Sequence, residues 1–78
     1  MSTKALLEYL VTQLVDHPEE VEVTEFESKN KDTMLELRVA ESDTGKVIGK
    51  GGRIAQALRT VVKAAALKSG QRVSVEII

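Results

Sequence analysis

A chain of 78 residues holds one modest hydrophobic core and no second one, and with no cysteine and a single histidine it has neither a disulfide nor a thiolate metal cage to brace that core. No apolar run approaches the roughly 20 residues of a membrane-spanning helix, and the N-terminus lacks the basic-then-apolar order of a secretory signal, so the expectation is a soluble, cytoplasmic protein. The formal net charge of -1 conceals a division: residues 1–43 hold 11 acidic and 4 basic side chains, whereas residues 44–75 hold Lys46, Lys50, Arg53, Arg59, Lys63, Lys68 and Arg72 and no acid.

Leu7, Leu10, Val11 and Leu14 recur at three- and four-residue spacing, which predicts an amphipathic helix over residues 3–16, ended by His17-Pro18. Residues 21–25 and 35–39 alternate apolar with polar side chains and predict two antiparallel strands, joined by a polar hairpin loop over residues 28–32. Phe26 falls on the opposite parity from Val21 and Val23, so either a bulge shifts the phase there or Phe26 sits at the sheet end. Glu41-Ser42-Asp43-Thr44 has the composition of a helix start, with Asp43 or Thr44 as the cap, and the segment to Ile48 predicts one or two helical turns. After a glycine-rich turn comes a long helix over residues 52–68, whose apolar stripe is Ala55, Leu58, Val62 and Ala65, widened by Ile54 and Val61. Ser69-Gly70 stops it, and Val73, Val75 and Ile77 alternate in a last strand. The order α-β-β-α-α-β predicts one α+β domain over residues 1–78, with helices stacked on one face of a three-stranded sheet in two layers.

The turn itself, Gly45-Lys46-Val47-Ile48-Gly49-Lys50-Gly51-Gly52-Arg53-Ile54, sets four glycines among three cations at the start of a helix. Glycine lets the backbone come close to a ligand, and the first N–H groups of a helix favour anions, so the stretch reads as a phosphate-facing turn. Spacing removes two of its possible chemistries. A nucleotide P-loop counted from Gly45 puts Lys50 where the second glycine belongs and supplies no Ser or Thr for magnesium. A dinucleotide fingerprint counted from Gly49 meets Ile54 at its last glycine, and no strand feeds it. Asp43-Thr44-Gly45 spells the tripeptide of aspartic proteases, but Glu41-Ser42 stands where strand-like apolar residues belong, and helix capping accounts for Asp43 or Thr44. His17 and Ser69 have no recognisable catalytic partners, so the chain reads as a non-enzyme without cofactor or metal.

What remains is Val47-Ile48-Gly49-Lys50-Gly51-Gly52 between two helices, which resembles the GXXG signature of KH domains. The element order is similar to the type II KH arrangement, and over essentially the whole chain the sequence resembles the bacterial single-KH RNA-binding proteins of the KhpA family. That resemblance implies a loop gripping the backbone of about four unpaired nucleotides with little sequence selectivity, in a protein acting as an RNA chaperone or post-transcriptional regulator. It also implies a homodimer, or a heterodimer with a larger KH-containing protein. The candidate RNA-binding residues are Lys46, Val47, Ile48, Gly49, Lys50, Gly51, Gly52, Arg53, Ile54 and Leu58: Lys50 and Gly51 at the tip, Lys46 and Arg53 flanking the phosphate path, the apolar members walling a groove faced by Leu37 or Val39. Ala55 stands where many KH domains carry Ile or Leu, which implies a shallower groove floor. Arg59, Lys63, Lys68 and Arg72 read equally as RNA contacts or as solvated surface. Tyr9 and Phe26, the only aromatics, lie far from the loop in sequence, against base stacking on an aromatic platform. A second reading makes the chain a protein-interaction module, its Ala64-Ala65-Ala66 segment permitting close helix approach.

Overall fold

The Ser2 hydroxyl accepts a hydrogen bond from the Ala5 N–H at 3.0 Å and so caps helix α1 (Thr3–Thr12), which buries Leu7 and Val11 one turn apart. The computed structural model describes residues 1–30 and 32–78. After α1 come strands β1 (Glu22–Glu27) and β2 (Thr33–Arg38), the short helix α2 (Thr44–Ile48), the long helix α3 (Arg53–Lys68) and strand β3 (Val73–Ile77). Single 3-10 turns at Pro18–Glu20, Glu41–Asp43 and Lys50–Gly52 join them. The α+β order and the two layers agree with the sequence reading.

α1 ends four residues earlier than its apolar spacing predicts. The Leu14 and Val15 N–H groups both turn back to the Val11 carbonyl, at 2.9 and 3.2 Å, leaving Leu14 exposed and Val15 against the core. The cause lies downstream in the chain, where the Asp43 carboxylate accepts from the N–H groups of Asp16 at 3.2 Å and His17 at 2.9 Å. Those donors would face the Thr12 and Gln13 carbonyls if the helix continued.

β1 and β2 pair antiparallel with Val23 opposite Leu37, and β2 pairs with β3 in parallel with Leu35 opposite Val75, so β2 is the middle strand. The parallel partner follows from the crossover through α2 and α3, which returns the chain to the same end of the sheet. Pairing is unbroken through Phe26, which lies opposite Met34, so there is no bulge. Phe26 and Met34 are exposed, on the parity that faces away from the buried Val23, Leu35 and Leu37. A bond from the Ser28 N–H to the Asp32 carbonyl, 2.8 Å, joins the hairpin ends, and Lys31 of the expected loop lies outside the described residues.

α3 buries Ala55, Leu58, Val62 and Ala66, with Ala66 rather than Ala65 completing the stripe. Leu58, Val62 and Ala66 pack with Leu7, Val11, Val47 and the inward residues of the sheet in one core. Gly70, at φ 72°, lets the chain reverse so that the Gln71 N–H reaches the Ala66 carbonyl at 2.8 Å. No helix among the described residues is long and apolar enough to cross a membrane.

Candidate nucleic-acid interface

The loop between α2 and α3 is held by its own backbone. The Gly49 N–H closes α2 on the Gly45 carbonyl at 2.9 Å, the Gly52 N–H returns to the Gly49 carbonyl at 3.1 Å, and the Arg53 N–H turns to the Lys50 carbonyl. Among the described residues the N–H groups of Lys50 and Gly51, at the tip, have no hydrogen-bond partner. Gly49 adopts φ 75°, ψ 171°, a region open only to glycine, and a Cβ there would sit 2.7 Å from Ile54 Cγ1. Gly51 follows with φ 66°, ψ 17°. These torsions turn the chain sharply enough to present two bare amides side by side ahead of α3, a geometry suited to an anion.

Charge around the loop is less uniform than the sequence implies. Lys50 and Arg53 are exposed, and neither is in an ion pair among the described residues. Lys46 is engaged, its Nζ lying 3.1 Å from an Asp16 carboxylate oxygen and 3.9 Å from one of Asp43. The hydrogen bond and charge of Asp16 hold the Lys46 ammonium above its ordinary pKa of 10.5. Lys46 thus flanks the loop as a partly neutralised cation.

The apolar candidates divide in the same way. Val47 is 0% exposed and Leu58 is buried, so both side chains belong to the core and act on the loop from behind. Ile48, 38% exposed, and half-buried Ile54 supply the apolar surface beside the tip, and Ala55 is covered. Leu37, in the middle strand β2, and Val39, just past its end, are both buried in the core.

Two roles escaped the sequence. Arg59 Nε donates to the Val75 carbonyl at 3.2 Å, fixing α3 to the outer strand. Asp43, 1% exposed, makes no side-chain bond to cap α2 and instead holds the α1–β1 connection. Its burial opposes ionisation, but the Asp16 and His17 N–H groups and the charges of His17 and Lys46 outweigh it and keep the carboxyl below its ordinary 3.8. No local pattern could reveal either contact, which join residues 16 to 27 positions apart. Among the described residues one group of possible metal ligands occurs, His17, Glu19 and Glu20, all exposed, with ligand atoms within 4.8 Å of one another.

The family model for the "KhpA/KhpB, KH domain" matches residues 4–77. The chain is 57% identical over 75 residues to the RNA-binding protein KhpA of Clostridium acetobutylicum, covering 96% of this chain and 99% of that protein. It is 50% identical over 72 residues to the RNA-binding protein KhpA of Bacillus subtilis, covering 92% and 88%. Two crystal structures of the protein Era, one from Aquifex aeolicus bound to GDP and aluminium fluoride and one with MgGDPNP and a segment of 16S ribosomal RNA, align with a TM-score of 0.68 over 96% of this chain. At 16% identity, and over 29% and 28% of those chains, that likeness shows the fold alone. With the family model spanning nearly every residue and relatives half identical from end to end, the chain belongs to the KhpA/KhpB family of KH domains.

Proposed function

We propose that this protein binds single-stranded RNA by its sugar-phosphate backbone at the Gly49–Gly52 loop. The observation that carries the proposal is the pair of unpartnered N–H groups at Lys50 and Gly51, set between the free cations Lys50 and Arg53. A phosphate oxygen accepts from the two amides, and the Lys50 ammonium and Arg53 guanidinium offset its charge while releasing counterions. Ile48 and Ile54 offer the adjoining ribose and base an apolar floor with no donor or acceptor to read a base edge. Binding of this kind is tolerant of sequence and suits an RNA chaperone or a post-transcriptional regulator. The KhpA relatives are named RNA-binding proteins, which supports the same reading.

Replacing Lys50 and Gly51 together with aspartate tests it. Asp is among the residues that tolerate the left-handed conformation at position 51, and a Cβ there meets no atom within 4 Å, so the fold persists. The expected result is loss of binding to labelled unstructured RNA with circular dichroism and melting near wild type. Retained binding in a folded K50D/G51D protein would sink the loop assignment.

A further inference from the structure

Arg59, Lys63 and Leu67 follow one another at four-residue spacing and share one side of α3. Because Arg59 reaches the Val75 carbonyl, that side looks onto the outer strand β3. Past Arg59, a hollow of about 340 Å³ opens between the later turns of α3 and the start of β3, lined by Lys63, Leu67, Arg72, Val73, Ser74 and Asp32 among others. Its size lies at the low end of small-ligand pockets, roughly 300 to 1,000 Å³.

The lining is of two kinds. Lys63 and Arg72 are exposed cations with no ion pair among the described residues, while Leu67 stands 73% exposed beside them with no covering element. Two free cations next to bare apolar surface match the two chemistries of an unpaired nucleotide, a charged phosphate and a flat, weakly polar base. Asp32 adds one acceptor, which suits an exocyclic amino group and repels a second phosphate. The adjoining hollow, which Arg72 and Asp32 also line, adds Glu25 and Glu27, so acidic side chains border the site on that side. Lys63 is ten residues along α3 from Arg53, about 15 Å at 1.5 Å per residue, so one extended strand spans the loop and the hollow.

We infer that this hollow is a second RNA subsite, taking one further unpaired nucleotide of the strand held at the glycine loop, with its base against Leu67 and its phosphate at Lys63 and Arg72. The inference rests on the RNA-binding reading of that loop and extends the footprint of the protein beyond it.

The test compares unstructured oligocytidylates of about four and about ten nucleotides, whose bases carry the exocyclic amino group Asp32 would accept from, the shorter matching the span a single KH loop clamps. Wild-type protein is expected to bind the longer RNA more tightly. The K63A/R72A variant is expected to hold the short RNA within about twofold of wild type, to lose about tenfold on the long one, and to show a log–log salt slope smaller by about 0.7 there, the increment of one phosphate contact on a single strand. Melting of the variant should match wild type, both side chains being exposed. No gain with length in wild type, or a variant equal to wild type on the long RNA, would overturn the subsite. Proportional loss on both lengths would overturn it too, since that is a general effect of net charge. K50D/G51D reports on the loop separately: if it keeps long-RNA binding while K63A/R72A loses it, the loop reading fails and the hollow stands.

Discussion

Gly49 and Gly51 both carry positive φ, yet their surroundings differ. A Cβ on Gly49 meets Ile54 Cγ1 at 2.7 Å, and its ψ of 171° belongs to a region that other residues avoid; a Cβ on Gly51 meets nothing within 4 Å. Gly49→Ala is therefore expected to destabilise the fold by about 3 kcal/mol, the upper end for such strained backbone, and Gly51→Ala by about 1 kcal/mol, the ordinary cost of a left-handed alanine. Urea denaturation midpoints measure both. Equal losses would show that Ile54 yields at no cost and that torsion alone constrains the loop. The glycines and their spacing were plain in the sequence. Which of them is locked was not, because that depends on where the first turn of α3 drops the Ile54 side chain.

At the level of elements, α1, β1 and α2 meet at the Asp43 carboxylate. Its two backbone hydrogen bonds fix where α1 stops and how the chain enters β1, and the same residue lies three positions before Lys46 on the approach to the loop. The carboxyl is held below 3.8 in the folded protein, so its contribution to stability is fully present above that value and is lost as pH falls through the folded one. Asp43→Asn is expected to melt lower than wild type at neutral pH, and the gap between the two to narrow on acidification below pH 3.8. Comparing the pair cancels the titration of the other carboxylates, and a gap that widens in acid would overturn the role given to Asp43. Strands and α3 were legible within two residues, because alternation and the 3.6-residue period are local signals that burial then enforces. The end of α1 was not legible. Leu14 continues the apolar spacing faithfully, and the distant Asp43 carboxylate, reaching back 26 and 27 residues, takes the Asp16 and His17 N–H groups that a longer helix would use.

For the whole molecule, the division into an acidic and a basic half was visible in the sequence, but the fold decides which cations remain available. Arg59 commits its Nε to a strand carbonyl and Lys46 its charge to Asp16 and Asp43, so among the described residues of the basic half the cations with neither contact are Lys50, Arg53, Lys63, Lys68 and Arg72. The Lys46 pairs are where the acidic half reaches into the basic one. Asp16 is exposed, and its carboxylate both offsets Lys46 and adds a negative charge near the path proposed for RNA phosphates. Asp43 remains 3.9 Å from Lys46, but its oxygens are already committed to two backbone donors. Asp16→Asn should therefore free Lys46 without emptying a buried site. RNA affinity is expected to rise about two- to threefold at low ionic strength, with the log–log salt slope steepened by up to about 0.7, the increment of one added phosphate contact on a single strand. Since the gain is electrostatic it should fade in high salt, where exposed charges are screened beyond about 3 Å at 1 M. An affinity that stays flat or falls in a folded D16N protein would place Lys46 off the RNA path and leave the tip amides, Lys50 and Arg53 to hold the backbone at the loop.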